Sequence, residues 1–265
     1  MHLGNSVICP VVGVPMLAIA GITAFLAIRQ ARKGFTKEKV LPLISLAALV
    51  FALQMVNFLI PGTGSSGHIV GSVLLAILLG PSAAFLTICS ILLVQALFFA
   101  DGGLLALGCN IFNMGTLACF VAYPFIYKPL SHNGRALLGA FFASVCAIQM
   151  ASIAVVAEAS LSGSIANIPA FASLMQTIHV PIALVEGLFA SFIVYFALKT
   201  KLSKTFTSTI AIISAILALV VVQFASGRPD GLEWSLIRLS SDFIAQTQGQ
   251  TYALLKLYRQ KLLYW

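Results

Sequence analysis

The chain has 265 residues, 60% of them apolar and 8% charged, with a mean hydropathy of +1.04. A soluble domain carries about 25% charged residues, and seven acids with fifteen bases cannot clothe a water-facing fold of this size. A soluble globular enzyme and a disordered chain are excluded. The net charge of +8 does not mark a nucleic-acid binder either, because the bases sit in short clusters between long apolar runs. The layout is that of an all-α polytopic membrane protein.

A helix needs about 20 apolar residues to cross the hydrocarbon core. Spans are expected near 11–28, 40–60, 69–80, 82–100, 103–127, 136–158, 181–198 and 207–226. No basic n-region precedes the first span, since Arg29 is the first Lys or Arg, so the N-terminus is expected to be retained rather than cleaved. The run 69–80 is short and ends at Gly80-Pro81, so it belongs inside protein, where irregular backbone escapes lipid. The stretch 165–178, interrupted by Pro169 and followed by Pro181, reads as a partial or surface helix.

Orientation follows from the bases. Arg29, Arg32, Lys33, Lys37 and Lys39 share one loop; alternation puts Lys128, Arg135, Lys199, Lys201 and Lys204 on the same side. That is ten of the fifteen, and the opposite loops, 61–68, 101–102 and 159–180, hold no Lys or Arg. The N-terminus is therefore expected outside, at the extracytoplasmic face of a cell (inner or plasma) membrane. After the eighth span, Gly227–Trp234 reads as a turn-rich outer loop. Residues 235–265 are too polar to cross, and 252–265 would lie on the membrane surface or stay unfolded.

The five cysteines, Cys9, Cys89, Cys109, Cys119 and Cys146, form no CxxC pair and lie mostly in apolar runs. They read as small buried hydrophobes. The opening Met1-His2 is a ready chelator. The Met1 amine, the His2 amide nitrogen and the His2 imidazole close fused rings on one cation, leaving one in-plane position in the tetragonal nitrogen set that Cu(II) and Ni(II) favour. His68, after the glycine-rich Pro61–Gly67, falls on the same side and is the candidate fourth donor, its loop free to fold back into the bundle.

Met1-His2, Ser65-Ser66-Gly67-His68 and the run Asp101–Met114 (DGGLLALGCNIFNM) occur in that order in a span-rich chain. Together they resemble the CbiM/NikM family, the substrate-binding membrane component of cobalt/nickel energy-coupling-factor transporters, over residues 1–205. Pro229-Asp230-Gly231-Leu232-Glu233 resembles the PDGLE element of the small NikN/CbiN-type subunit, which makes 206–265 a second unit: one more transmembrane helix, the PDGLE loop and a polar tail. The resemblance implies a seven-helix core with the N-terminus inserted from outside and Ni(II) or Co(II) held as transported substrate by Met1, His2 and His68. It also implies Asp101, Asn110 and Asn113 near that site, where ligating imidazoles need an outer hydrogen-bond partner; the asparagines could equally join helices. Implied partners are a CbiQ/NikQ-type transmembrane coupling subunit and a CbiO/NikO-type cytoplasmic ATPase, besides membrane lipid. Small residues Ala20, Ala24 and Ala27 would let the coupling subunit approach span one, or face the chain's own core. Leu3-Gly4-Asn5 lacks the acid usual in the family's first residues.

Glu186 lies within span seven, where a carboxylate marks function by default, and His179 two turns earlier would pair with it or guard a pathway. Glu158 at the outer end of span six and His132 read as solvated. No GxxxxGK[ST] phosphate loop occurs, so the chain is expected to be no enzyme and to draw energy from partners. Two rivals remain: a rhomboid-like protease, with Ser66 of Gly64-Ser65-Ser66-Gly67 as nucleophile and His179 as base, and a substrate-free membrane scaffold subunit.

Overall fold

The computed structural model describes residues 2–34, 36–200, 203–219 and 227–239. Eight helices precede a short ninth: α1 Pro10–Arg32, α2 Val40–Met55, α3 Ser72–Leu79, α4 Pro81–Phe99, α5 Leu107–His132, α6 Ala136–Leu161, α7 Ile168–Thr200, α8 Lys204–Leu219 and α9 Gly231–Leu239. Six of the described helices are long and apolar enough to cross a membrane, α2 counted from Lys37. The chain is a multi-pass helical membrane protein. Proline at the first position starts α1 and α4, where its missing N–H costs nothing, and Arg29 and Arg32 complement the dipole in the last turn of α1. From Phe112 to Tyr127, α5 winds in wider π-type turns. All five cysteines are free, with Cys109 and Cys119 buried.

Three boundaries differ from the sequence reading. Span two stops at Met55, because Val56 is extended and Phe58–Ile60 (β1) pairs antiparallel with Ser65–Gly67 (β2). The turn between them needs positive φ at Gly62 and Gly64 (+75° and +78°), which glycine adopts freely. Residues 165–178 are no separate partial or surface helix: α7 runs for 33 residues through Pro181, losing one backbone donor there, and packs along α6. Gly187 lets that contact close, since a Cβ there would stand 2.8 Å from Phe141 Cδ2, and Ser191 Oγ donates to the Leu137 carbonyl at 2.9 Å. Finally, 227–234 is not all loop, because α9 starts at Gly231. The eighth span is described only to Leu219; 220–226 and the tail 240–265 lie outside the described residues.

Helix lengths carry the site inward. At 1.5 Å per residue, α3 covers about 12 Å, and α4, returning from the Gly80 turn, about 28 Å. The chain between α2 and α3 must therefore descend roughly 16 Å into the bundle before α3 begins, and α3 itself is buried from Ser72 to Ala76, as its shortness requires. The main core joins α1 to α8, and Ala20 and Ala27 are buried in it with Ala24 packed alongside, so these alanines face the chain's own core. A second cluster closes the opposite end from the basic loops: Leu3, Val7 and Ile8 of the N-terminal segment pack with Phe171 and Met175 of α7 and with Leu232 and Leu236 of α9.

Candidate metal centre

Residues 2–9 enter this end of the bundle as irregular backbone whose polar groups must all be satisfied there. Leu3 is fully buried. Its N–H donates to Asn110 Oδ1 at 2.8 Å, and its carbonyl accepts from Asn110 Nδ2 at 3.1 Å and from the Gly103 N–H at 3.0 Å. Asn5 Oδ1 accepts the Leu105 N–H at 2.9 Å, and Val7 offers its carbonyl to Ser164 Oγ at 2.6 Å. Close approach is possible only over glycine, since a Cβ at Gly103 would meet Asn5 Oδ1 at 2.1 Å. Asn5, absent from the sequence-derived candidates, thus supplies the acceptor that an acid would.

So held, His2 stacks on His68, with 5.1 Å between ring centroids and 17° between planes. Both rings are about 95% buried. Asp101 Oδ1 lies 3.3 Å from His2 Nδ1 at the partly exposed rim, while His2 Nε2 is buried without a hydrogen-bond partner. Burial lowers the His2 pKa, with the Asp101 carboxylate opposing. Burial also holds His68 well below its ordinary 6.5, and the adjoining His2 adds to the effect. Burial thus disfavours the charged form of both imidazoles, and the neutral form is the one that binds a metal. Among the described residues no three His, Cys, Asp or Glu side chains gather as a metal site. Met1 lies outside the described residues.

His68 is fixed from both sides. Before it, Ser66 is fully buried; its N–H donates to the Pro229 carbonyl at 2.8 Å and its Oγ to the Arg228 carbonyl at 2.7 Å. After it, the N–H groups of Val70 and Gly71 each donate to a Glu186 oxygen at 2.7 Å, and Gln54 Nε2 donates to the Val70 carbonyl at 2.8 Å.

The comparisons with known proteins follow this geometry. Residues 2–204 match the family model CbiM, described as the cobalt uptake substrate-specific transmembrane region. The chain belongs to the CbiM family. The stretch 204–260, after the CbiM region, matches the PDGLE domain. A protein of Archaeoglobus fulgidus named as a fused nickel transport protein, NikMN, is 38% identical over 64% of this chain and 59% of its own length. The chain thus spans under two thirds of that relative. A metal transport protein of Haloquadratum walsbyi is 32% identical over 71% of this chain and 85% of its own. Two crystal structures of transition metal transporters, one truncated, superpose on this chain with TM-scores of 0.69 and, for the truncated one, 0.68; the identities are 27% and 29%, over 80% and 75% of this chain and 99% of each of theirs.

The remaining candidates of the CbiM region fall elsewhere. Asn110 holds Leu3, as above. Asn113 donates through Nδ2 to Glu158 at 2.7 Å, so it serves the α5–α6 contact rather than His2. Glu158 is not solvated: only 6% of it is exposed, because it faces Asn113 across the α5–α6 contact. His179 and Glu186 are not paired. The His179 Nδ1 bonds the Met175 carbonyl at 2.7 Å, whereas Glu186 caps the start of α3. Nor do Ser66 and His179 form a protease dyad: the hydroxyl is spent on backbone carbonyls, and His179 Nε2 has no hydrogen-bond partner. His179 serves instead as the floor for the PDGLE turn, where a Cβ at Gly231 would come within 2.9 Å of its Cε1.

The PDGLE sequence itself is a capping box. Asp230 Oδ1 accepts the Glu233 N–H at 2.9 Å, and Glu233 Oε2 accepts the Asp230 N–H at 3.3 Å. Burial, helped by the Asp230 charge, raises the Glu233 pKa. The D-x-x-E spacing of Asp230 and Glu233 carried that signal in the sequence.

Proposed function

We propose that this chain is the substrate-capture component of an energy-coupling-factor importer of divalent nickel or cobalt. The metal binds from the extracytoplasmic side of a cell membrane. Four nitrogens take it: the Met1 amine, the His2 amide, the His2 imidazole and the His68 imidazole. The observation that carries this reading is the buried stack of His2 on His68. These residues are 66 positions apart and stand together at low proton affinity, in a chain whose relatives are named for nickel, cobalt or metal transport.

The chemistry of the donor set fits. Two imidazoles alone make a poor site, and the described side chains gather no third ligand. The Met1 amine and the His2 amide would close five- and six-membered rings on the cation. A six-membered ring to its own amide uses His2 Nδ1, the nitrogen now facing Asp101; loading therefore exchanges that carboxylate for the cation. Square-planar nitrogen coordination suits Ni(II), and the divalent affinity order lets Cu(II) compete, so selectivity rests on geometry and supply. Residues 1–205 form the capture unit and 206–265 the PDGLE unit. Energy comes from a CbiQ/NikQ-type coupling subunit and a CbiO/NikO-type ATPase, since the sequence has no P-loop.

The test is an insertion of one residue after Met1, which moves the histidine to position 3, with nickel and cobalt then measured by elemental analysis of the purified protein. Loss of most bound metal is expected, as is a weakened, water-completed site in His68→Ala. Unchanged stoichiometric binding in the insertion variant overturns the four-nitrogen site. A wild-type chain that never retains metal makes it a scaffold instead.

A further inference from the structure

Glu186 sits in the membrane-spanning part of α7, yet both its oxygens are turned to backbone of the His68 turn, one to the Val70 N–H and one to that of Gly71, at 2.7 Å each. These are the last residues before α3, so the carboxylate also faces that helix's positive end. Beside it lies a small cavity of about 10 Å³ bordered by Glu186, Val70, Ser72, Asn113 and Ser144. Ser72, Asn113 and Ser144 are at most 2% exposed. Each has a polar atom with no hydrogen-bond partner: Ser72 Oγ, Ser144 Oγ and Asn113 Oδ1. Buried polar groups left without partners are costly, and the space is about that of a single water, which makes two to four bonds in such places.

We infer that this cavity holds one ordered water and that Glu186, braced by it, is the residue that positions His68 for metal; the inference rests on the proposed metal centre. The bonding closes without remainder. The water accepts the hydroxyl hydrogens of Ser72 and Ser144 and donates to Asn113 Oδ1 and Glu186. Through Asn113 Nδ2 the network reaches Glu158, so four helices, α3, α5, α6 and α7, are tied to the turn that carries His68. A cation in the same place would leave both serine hydrogens unsatisfied. Partners that orient a ligating imidazole are typically worth 10- to 100-fold in metal affinity, and here the orientation passes through two backbone N–H groups.

The experiment titrates nickel into purified wild type, Glu186→Gln, Ser144→Ala and His68→Ala, reading affinity and the nickel absorption spectrum, with a crystal structure of the wild type that shows ordered water. A glutamine oxygen accepts only one of the two N–H groups. Glu186→Gln should lose about 10- to 100-fold in affinity and shift its spectrum toward that of His68→Ala. Ser144→Ala, which leaves Glu186 in place, should shift the same way by less and serves alone if the glutamine variant does not fold. A wild-type spectrum and affinity in Glu186→Gln, or in Ser144→Ala alone when that is the variant available, overturns the positioning role, as does a dry cavity in the crystal. If His68→Ala itself binds nickel like wild type, the metal centre fails, and that failure is visible apart from anything Glu186 does.

Discussion

Ser66 donates its hydroxyl hydrogen to the Arg228 carbonyl at 2.7 Å, across 162 residues of sequence. With the Ser66 N–H on Pro229 and Trp234 Nε1 on the Thr63 carbonyl at 2.9 Å, it joins the PDGLE segment to the hairpin that leads into His68. The described segment 227–239 is therefore joined to the hairpin before His68 rather than hanging from the bundle.

That joint depends on Gly231. In Gly231→Val the side chain enters the space of His179 Cε1 and Nε2, 2.9 and 3.1 Å from the first added carbon. Faster hydrogen exchange or proteolytic cutting across 227–239 is expected, with α1–α7 unchanged. Asp230→Ala should act in the same direction through the lost cap, by about 1 kcal/mol.

The N-terminal segment depends on Asn110. Replacing it by alanine removes both side-chain bonds to Leu3 and leaves a buried N–H unpaired, a loss of about 1–3 kcal/mol. Asn110→Ala should retain less nickel after gel filtration and melt lower than wild type. A variant that keeps both properties would show that the hydrophobic seat of Leu3 is enough.

Helices α1 and α5 touch backbone to backbone at Gly108. A Cβ there would stand 2.2 Å from the Leu17 amide nitrogen and 2.3 Å from the Met16 carbonyl carbon. No rotamer relieves that contact, so Gly108→Ala must push the helices apart, in the manner of small-residue interfaces in membranes. Reduced expression or a melting temperature several degrees lower is expected, against little change for Gly21→Ala, which has open space on a helical backbone.

The imidazole pair gives a pH dependence of definite sign. His2 and His68 are depressed below 6.5 by burial, so the unfolded chain takes up protons first as pH falls. Their contribution is fully present above pH 6.5 and is lost on descending through the folded-state values. Apo protein should melt progressively lower below pH 6.5, and less steeply in His68→Gln. Nitrogen NMR should find both rings neutral at pH 6.5.

Composition and spacing alone determined that this is a multi-span helical membrane chain, because sixty per cent apolar residues in runs of membrane length have no other stable solvent. They also singled out His2 and His68, since glycine-rich backbone after a span permits a re-entrant turn. Local pattern could not decide what lies against what. Pro181 looked like a helix end until packing on α6 carried α7 through it, and Glu158 looked solvated until Asn113 of α5 met it across the helix contact. Glu186 seemed a partner for His179 by helical phase, yet phase fixes only a direction; the stronger claim came from two unpaired N–H groups at the head of α3, delivered there by a hairpin 115 residues away in sequence. Backbone donors have no signature in side-chain identity, so their demands appear only once the chain has folded around them.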